Sequence, residues 1–355
     1  MVVSGRKHLI LTGSIGSGKT TLHGRILKLI SKDKIAGITS WLKPMDGVYL
    51  RDNITLEECK VGKFNFNSTD EKCKMTLIPE GFLELGISSI ARAINSKDEW
   101  FSIDEIGFLE TGCEEYCNEI LNLMNKKRLI ACVRKQELPF LQMIIKRDDV
   151  LVVDLDKPYG DVGCVIMASG LGKRFGSNKL MADFDGKSLI EQILDTTEGI
   201  FQKRVVVTRH DNVRKLCQEK GVEVLYHDLP LRSDTVRLGI STMDKYIRGC
   251  MFCPGDQPLL NEDTIMGMAV CACNDKDMMW RLSYDDEKGM PVLFPKWTFE
   301  ELKSLPEGKG GNVLIKKYPL YVRNFPAESK WELCDVDYQR DIEKLKEIKK
   351  STDKK

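Results

Sequence analysis

The stretch His8-Leu9-Ile10-Leu11-Thr12-Gly13-Ser14-Ile15-Gly16-Ser17-Gly18-Lys19-Thr20 decides the reading of the first half of the chain. Residues 8–12 centre on the apolar run Leu9-Ile10-Leu11, the pattern of a strand buried on both faces of a parallel sheet. Residues 13–20 read G-x4-G-K-T, and residues 19–30 continue with helical apolar spacing. Strand, glycine loop and helix in that order are the context a P-loop requires. Glycines let successive backbone N–H groups turn toward phosphate oxygens, and the helix N-terminus adds partial positive charge. Lys19 suits the β- and γ-phosphates, and the Thr20 hydroxyl suits a Mg²⁺ ion. The nucleotide-binding candidates are therefore Gly13, Ser14, Ile15, Gly16, Ser17, Gly18, Lys19, Thr20 and Thr21, with Lys19 also catalytic.

Further along, Trp100 to Glu110 reads WFSIDEIGFLE, an apolar strand that ends in Asp104-Glu105. A carboxylate at a strand end beside a P-loop is where the Mg²⁺ partner sits, so Asp104 is the metal candidate. Glu105 is placed to orient or activate an attacking water, and Glu110 is a third acid in the group. With these residues in view, residues 7–155 resemble a small P-loop nucleoside-triphosphatase family first known from thermophiles, whose signature pairs the P-loop with D-E-I-G-x-x-E. The resemblance implies Mg²⁺-dependent hydrolysis of ATP or GTP. Residues 36–53 resemble the same family's G-F-x-T…G-x-R region, with Ile38 in place of Phe, which makes Arg51 a nucleotide-site candidate.

Outward from there, RLIACV (128–133) and VLVVDL (150–155) read as further buried strands. KPYGDVG (157–163) is rich in turn-formers, and CVIMA (164–168) begins a new strand that runs into a second glycine loop. The alternation of strands and helices predicts an α/β fold class throughout. Strands follow at RVVVT (204–208), VEVLY (222–226) and CMFC (250–253), separated by helices near 188–198, 211–219 and 234–247. Two glycine loops that share no obvious sequence identity predict two different domains, 1–157 and 158–346, followed by a disordered basic tail over 347–355.

The second loop lies within IMASGLGKRFGSNKL (166–180), spaced G-x-G-x-R-x-G-x-x-K. Its backbone can wrap phosphates, and Arg174 and Lys179 offer two cations to a triphosphate. The candidates for binding are Ala168, Ser169, Gly170, Leu171, Gly172, Arg174 and Lys179. MFCPGDQPLL (251–260) is a strand that ends in Gly255-Asp256-Gln257-Pro258. Asp256 there can hold Mg²⁺ against the phosphates while the α-phosphorus is attacked. Arg174, Lys179 and Asp256 are therefore the catalytic candidates of this half.

Together these residues resemble the molybdenum cofactor nucleotidyltransferase family over roughly 162–345. GMPVLFPKWTFEELKSLPEGKGGNVL (289–314) and CDVDYQRDIEKL (334–345) resemble that family's later segments. The resemblance implies a P-loop three-layer α/β/α domain followed by a Rossmann-like nucleotidyltransferase domain. It also implies transfer of NMP from an NTP to the terminal phosphate of molybdopterin, with release of pyrophosphate. The opening Ala168-Ser169-Gly170 and the GDQP form lean toward the cytidylyl branch, hence CTP, because a side chain where the guanylyl branch has glycine favours the smaller base. A molybdenum-dependent hydroxylase apoenzyme is the implied recipient.

The sequence departs from that family at residues 231–237, where Ser233 and Thr235 are nucleotide-contact candidates and Arg232 and Arg237 suit a phosphorylated acceptor. It departs again at Gly308-Lys309-Gly310-Gly311 and at Tyr338-Gln339-Arg340. Asp337 reads equally as a second metal ligand or as an acid at a helix N-terminus. A sugar-1-phosphate nucleotidyltransferase shares the same glycine loop, and an NTP-driven cofactor-insertion factor is the alternative of a different class.

Composition narrows the rest. The chain has 355 residues, 54 Lys+Arg and 53 Asp+Glu, for a net charge of +1. That balance gives no support to a dedicated nucleic-acid binder, so no nucleic-acid partner is expected. No apolar run approaches the roughly 20 residues of a membrane helix, and the opening residues do not read as a signal peptide, which predicts a cytoplasmic protein without membrane contact. Twelve cysteines read as free thiols. The Cys250, Cys253, Cys271 and Cys273 group lacks the second C-x2-C step of a paired-knuckle zinc site. His8 reads as a packed strand residue and His210 as part of a strand-to-helix turn.

Overall fold

The computed structural model describes residues 5–31, 35–65 and 75–352. The chain divides into two compact units, Met1–Pro158 and Tyr159–Lys355.

Unit 1 is built on an eight-stranded sheet. Its strands are β1 (His8–Thr12), β2 (Gly37–Lys43), β3 (Gly47–Asp52), β4 (Glu58–Phe64), β5 (Met75–Leu77), β6 (Trp100–Ile106), β7 (Arg128–Val133) and β8 (Val150–Asp154), in the spatial order β5-β4-β3-β2-β6-β7-β1-β8. The five strands from β2 to β8 in that order are parallel, and β3, β4 and β5 extend the edge antiparallel. All five residues of β1 are buried, so both faces of the sheet are covered there. Ile10, Ile38, Phe101, Ile103 and Leu129 form the centre of a core that also takes Phe82 and Tyr116. The antiparallel extension was not legible as strands, because β2 and β3 carry a polar, partly exposed alternation rather than a continuous apolar run.

His8 is fully buried on β1. The Leu129 amide donates to its Nδ1 at 3.0 Å, and its Nε2 lies 3.3 Å from Asp149. Burial lowers its pKa from 6.5 to about 4, with Asp149 opposing.

Unit 2 holds β9 (Val162–Ala168), a small hairpin of β10 (Asp183–Phe184) and β11 (Lys187–Ser188), then β12 (Lys203–Thr208), β13 (Glu223–Tyr226), β14 (Gly249–Pro254), β15 (Met279–Tyr284), β16 (Glu287–Pro295) and β17 (Val322–Pro326). The main sheet runs β13-β12-β9-β14-β16-β15-β17. Its first four strands are parallel, whereas β16 pairs antiparallel with both β14 and β15. The helix expected near 234–247 spans Arg232–Ser241 instead. It stops because Asp244 accepts the amides of Tyr246 and Ile247, an Asx turn that competes with helix.

This helix lies on the sheet at close quarters. A Cβ at Gly239 would sit 2.5 Å from Cγ1 and 2.8 Å from Cγ2 of the fully buried Val165. Cys250 and Cys253 are buried on β14, facing the sheet's neighbours as small core residues.

The tail expected to be disordered from residue 347 is corrected by the last helix, Gln339–Thr352. Ile342 and Leu345 are buried, and Ile348 packs against the same cluster of Phe175, Phe184, Leu189 and Val336. Lys346 and Lys349 pair with Asp183 at 2.9 Å and Asp185 at 3.4 Å, so the lysines sit on a docked helix. Residues 1–4 of the opening segment and 353–355 of the tail lie outside the described residues.

Two outcomes follow for stability. Ala is the better helix former by about 1 kcal/mol, yet overpacking against an immobile valine costs about 1–3 kcal/mol. Gly239→Ala is therefore expected to destabilise unit 2 by up to about 2 kcal/mol in urea unfolding, and raised stability would show that the helix can lift off β9. The second concerns His8. Its folded pKa lies below its unfolded one, so the unfolded chain takes up the proton first and stability falls as pH drops from 6.5 toward 4. By pH 5 the expected loss in unit 1 is about 2 kcal/mol, and His8→Gln is expected to remove that share of the pH dependence of the unfolding midpoint.

Candidate active sites

The first site grows from the end of β1. Gly13, Gly16 and Gly18 all have positive φ, and at Gly13 an added Cβ would meet Ser17 Oγ at 2.7 Å. The loop thus needs glycine there both for backbone angle and for space. Lys19 opens the helix Lys19–Ile30 and folds back to donate to the carbonyls of Gly13 at 3.0 Å and Ser14 at 2.9 Å. Ser17 Oγ is buried in the loop with no partner. Ile15 and Thr21 are exposed.

Thr20 Oγ1 donates to Asp104 Oδ1 at 3.2 Å. The pair presents hard oxygen donors only, the set Mg²⁺ prefers. Glu105 is bound by Arg134 Nε at 2.8 Å, which holds it beside Asp104 at the end of β6. Glu110 lies elsewhere in character: it is buried, its Oε2 accepts the Gly107 amide at 2.7 Å, and burial pushes its carboxyl above the ordinary range. It braces the turn after β6. Register places Arg51 opposite Thr39, and Thr39 opposite Asp104, in one row across three strands, with Arg51 3.9 Å from Glu58.

Sequence reasoning missed Asp156. The Ser14 amide donates to both its carboxylate oxygens at 3.0 and 2.9 Å, the Ser14 hydroxyl donates at 2.8 Å, and Lys135 lies at 3.0 Å. The Ser14 contacts first, and Lys135 after them, hold the carboxyl down at about 2. No local motif marks this residue; only the parallel pairing of β1 with β8 brings it to the loop.

The second site grows from the end of β9. Lys179 is almost enclosed and lies 2.6 Å from Asp256 Oδ2, 2.7 Å from the Val336 carbonyl and 3.4 Å from Asp337 Oδ1. Burial opposes its charge, but Asp256 and Asp337 outweigh burial and raise its pKa. Arg174 Nη1 pairs with Asp337 at 2.5 Å. The helix N-terminal role open to Asp337 falls instead to Asp341, which accepts the amides of Asp337 and Tyr338 at 2.9 and 2.7 Å. Asp335, unforeseen, stands close by. Its Oδ1 accepts from Gln257 at 2.8 Å, and burial together with Asp256 raises its pKa. Asp256 and Asp337 thus form an oxygen set that suits Mg²⁺.

The glycine loop is held by two histidines that the sequence did not mark as partners. The Leu229 amide donates to His227 Nδ1 at 3.1 Å, which leaves the proton on Nε2 to donate to Ser169 Oγ at 2.8 Å. Ser169 in turn donates to the Val207 carbonyl at 3.0 Å. Burial lowers the His227 pKa. His210 Nε2 donates to the Gly170 carbonyl at 2.8 Å. Ala168 is buried at the strand end, and Leu171 is half exposed.

The expectation for Ser233 is corrected. It is fully buried, and its Oγ accepts the Gly308 amide at 3.1 Å, so it anchors the 308–311 loop and does not face the cavity. Thr235, one turn-position on, does line it. That cavity, about 560 Å³, is lined by the glycine loop, Arg174, Lys179, Asp256 and Asp337. A neighbouring cavity of about 550 Å³ combines Arg281, Lys288, Lys309 and Lys316 with Phe252 and Phe294, and the two share Met167, Arg232 and Met290. Arg281 Nε is buried there without a partner.

Comparison with known proteins follows this division. Residues 8–161 match the NTPase family and residues 164–322 match the MobA-like NTP transferase domain. A protein of Pyrococcus furiosus named "Probable molybdenum cofactor guanylyltransferase" is 27% identical over 206 residues, covering 51% of this chain and 94% of its own length. The "Nucleoside-triphosphatase THEP1" of Thermotoga maritima is 25% identical over 163 residues, covering 42% of this chain and 86% of its own. Among solved structures, a nucleotidyl transferase of Methanothermobacter aligns with a TM-score of 0.47 and 20% identity, covering 54% of this chain and 98% of its own. The chain joins an N-terminal P-loop domain of the NTPase family to a C-terminal MobA-like NTP transferase domain, and is an enzyme of both kinds.

Proposed function

We propose that the C-terminal unit transfers CMP from CTP to the terminal phosphate of a molybdopterin-type acceptor, while the N-terminal unit hydrolyses ATP or GTP. The observation that carries the first part is the pair of adjoining cavities. One is walled by a phosphate-binding loop and the Lys179–Asp256–Asp337 group; the other offers four cations over an aromatic floor. A triphosphate in the first leaves its α-phosphorus near Met167, Arg232 and Met290, where a phosphorylated, ring-bearing acceptor in the second can reach it.

In this reading Arg174 and the loop amides bind the β- and γ-phosphates, and Lys179 holds Asp256 and Asp337 in place. Mg²⁺, held by Asp256 and Asp337 when bound, supplies charge neutralisation at the phosphates. An acceptor phosphate oxygen forms the new bond to the α-phosphorus as the bond to the bridging oxygen of pyrophosphate breaks. The protein contributes position and charge rather than a covalent intermediate. Arg281, with its unpartnered Nε, binds the acceptor.

The fixed Ser169 hydroxyl supports a pyrimidine, since a side chain there narrows the space that glycine would leave. In the P-loop unit, Lys19 and the loop amides bind phosphates and Glu105 orients water. Mg²⁺ there would be held by Thr20 and Asp104. No helix among the described residues is long and apolar enough to cross a membrane. The cytoplasm is the proposed compartment, and a molybdenum-dependent hydroxylase apoenzyme the proposed recipient.

The test uses the full chain with Mg²⁺, molybdopterin-bound molybdenum and each NTP in turn, reading pyrophosphate and the mass of the dinucleotide. Acceptor-dependent pyrophosphate from CTP is expected, reduced roughly 100-fold or more in Asp256→Ala and retained in Lys19→Ala, which in turn loses phosphate release. Arg281→Ala is expected to raise the acceptor KM and leave that of CTP unchanged. Preference for GTP, the nucleotide that the name of the Pyrococcus relative points to, would overturn the pyrimidine assignment. No acceptor-dependent pyrophosphate with any NTP would overturn the acceptor.

A further inference from the structure

We propose that the N-terminal unit contains a second metal site, for a zinc-class divalent cation, made by His23, Cys132 and Asp104. The three residues are all buried, and their ligand atoms lie within 4.8 Å of one another. Topology explains the meeting. Cys132 on β7 is the register partner of Asp104 on β6, so their side chains share a face of the sheet. The helix after the P-loop crosses that face and lays His23 over them.

A second, independent feature points to a ligand. The His23 ring makes a hydrogen bond with the Ile130 backbone, and its Nε2 is buried with no partner at all. One ring nitrogen tied to a backbone carbonyl and the other left bare is the arrangement of a metal-ligating histidine. An unfilled nitrogen at 4% residue exposure is otherwise a cost to the fold.

The donor set decides the class of ion. Mg²⁺ takes oxygen donors, whereas imidazole, thiolate and carboxylate together suit tetrahedral Zn²⁺ or Co²⁺. Metal–ligand bonds of roughly 2.0–2.3 Å require the donors to close by about 1 Å from the present spacing. Three protein donors leave the fourth position to water. Burial keeps the Cys132 thiol protonated. On binding, its S–H bond breaks, a sulfur–metal bond forms and the proton leaves to solvent, with no change of oxidation state.

The site shares Asp104 with the proposed Mg²⁺ position. A cation drawn onto His23 and Cys132 therefore competes with Thr20 for that carboxylate, and a zinc-class ion restrains the P-loop reaction. This last step rests on the P-loop hydrolysis proposed above; the metal site itself does not.

Full-length protein, stripped with chelator, is titrated with Co²⁺ and followed by absorption. One equivalent is expected to give a near-ultraviolet thiolate-to-cobalt band and intense visible bands of tetrahedral Co²⁺, displaced by Zn²⁺. Cys132→Ser is expected to lose the thiolate band. His23→Gln is expected to keep it with at least about 10-fold weaker affinity. Circular dichroism confirms that both variants are folded. Absence of a thiolate band in the wild type, or an unchanged band in Cys132→Ser, would overturn the site. Zn²⁺ is expected to slow phosphate release in the wild type and not in Cys132→Ser, and equal slowing in both would overturn the restraint. Failure of phosphate release altogether would strike the P-loop reading and leave the cobalt spectrum standing.

Discussion

Each unit depends on one strand that is buried inside a parallel sheet and must let the chain out at its carboxyl end. In unit 1 that strand is β1, between β7 and β8; in unit 2 it is β9, between β12 and β14. Sheet pairing satisfies the backbone up to the last residue, and the amides beyond it have no strand to bind. Glycine loops turn those amides toward an anion. A carboxylate from another strand end completes each site, but from different distances. Asp256 follows β14, the immediate neighbour of β9, whereas Asp104 lies near the carboxyl end of β6, with β7 lying between it and β1. The intervening strand is why Cys132 stands in the row between Asp104 and Leu11.

The second unit adds a constraint of charge. Lys179, Asp256 and Asp337 come from three segments far apart in the chain, and a nearly enclosed ammonium ties them together. An enclosed cation is tolerated only while its carboxylates stay, so losing either partner leaves the Lys179 ammonium under-compensated in its enclosure. Lys179 therefore also holds the 334–337 segment against the end of β14. The Val336 amide completes the tie by donating to the Asp256 carbonyl at 2.9 Å.

What was legible in the sequence follows from this. Gly13, Gly16, Gly18 and Gly172 have positive φ, a backbone demand that only glycine meets cheaply, so the loops announce themselves locally. Asp104 and Asp256 were legible because a buried apolar run followed by an acid is a local pattern. Asp156, Arg134, Asp335, Arg281 and the His227–Ser169 pair were not, since each reaches its site through strand order or through packing between remote segments. Ser233 misled for the same reason: its place in the chain is beside Arg232 and Thr235, but a helical residue one position away points to another side, here to Gly308. The disordered-tail reading failed because the Lys-rich composition of the last helix hides an Ile342–Leu345–Ile348 stripe that packs on Phe184.

The cations of the two sites are held by partners of different strength, and this separates their roles. Lys19 rests on two neutral carbonyls of its own loop, charge-assisted contacts worth about 1.5–3 kcal/mol each that the full negative charge of a phosphate can replace. Arg174 rests on Asp337 with most of its side chain in water, an exposed pair worth at most about 1 kcal/mol. Lys179 is itself nearly enclosed and rests on Asp256, so it cannot leave without unpairing a half-buried carboxylate. In the proposed reactions Lys19 and Arg174 are thus the cations free to move onto an incoming triphosphate. Lys179, although it belongs to the same motif as Arg174, is fixed by its burial as the post to which Asp256 and Asp337 are tied.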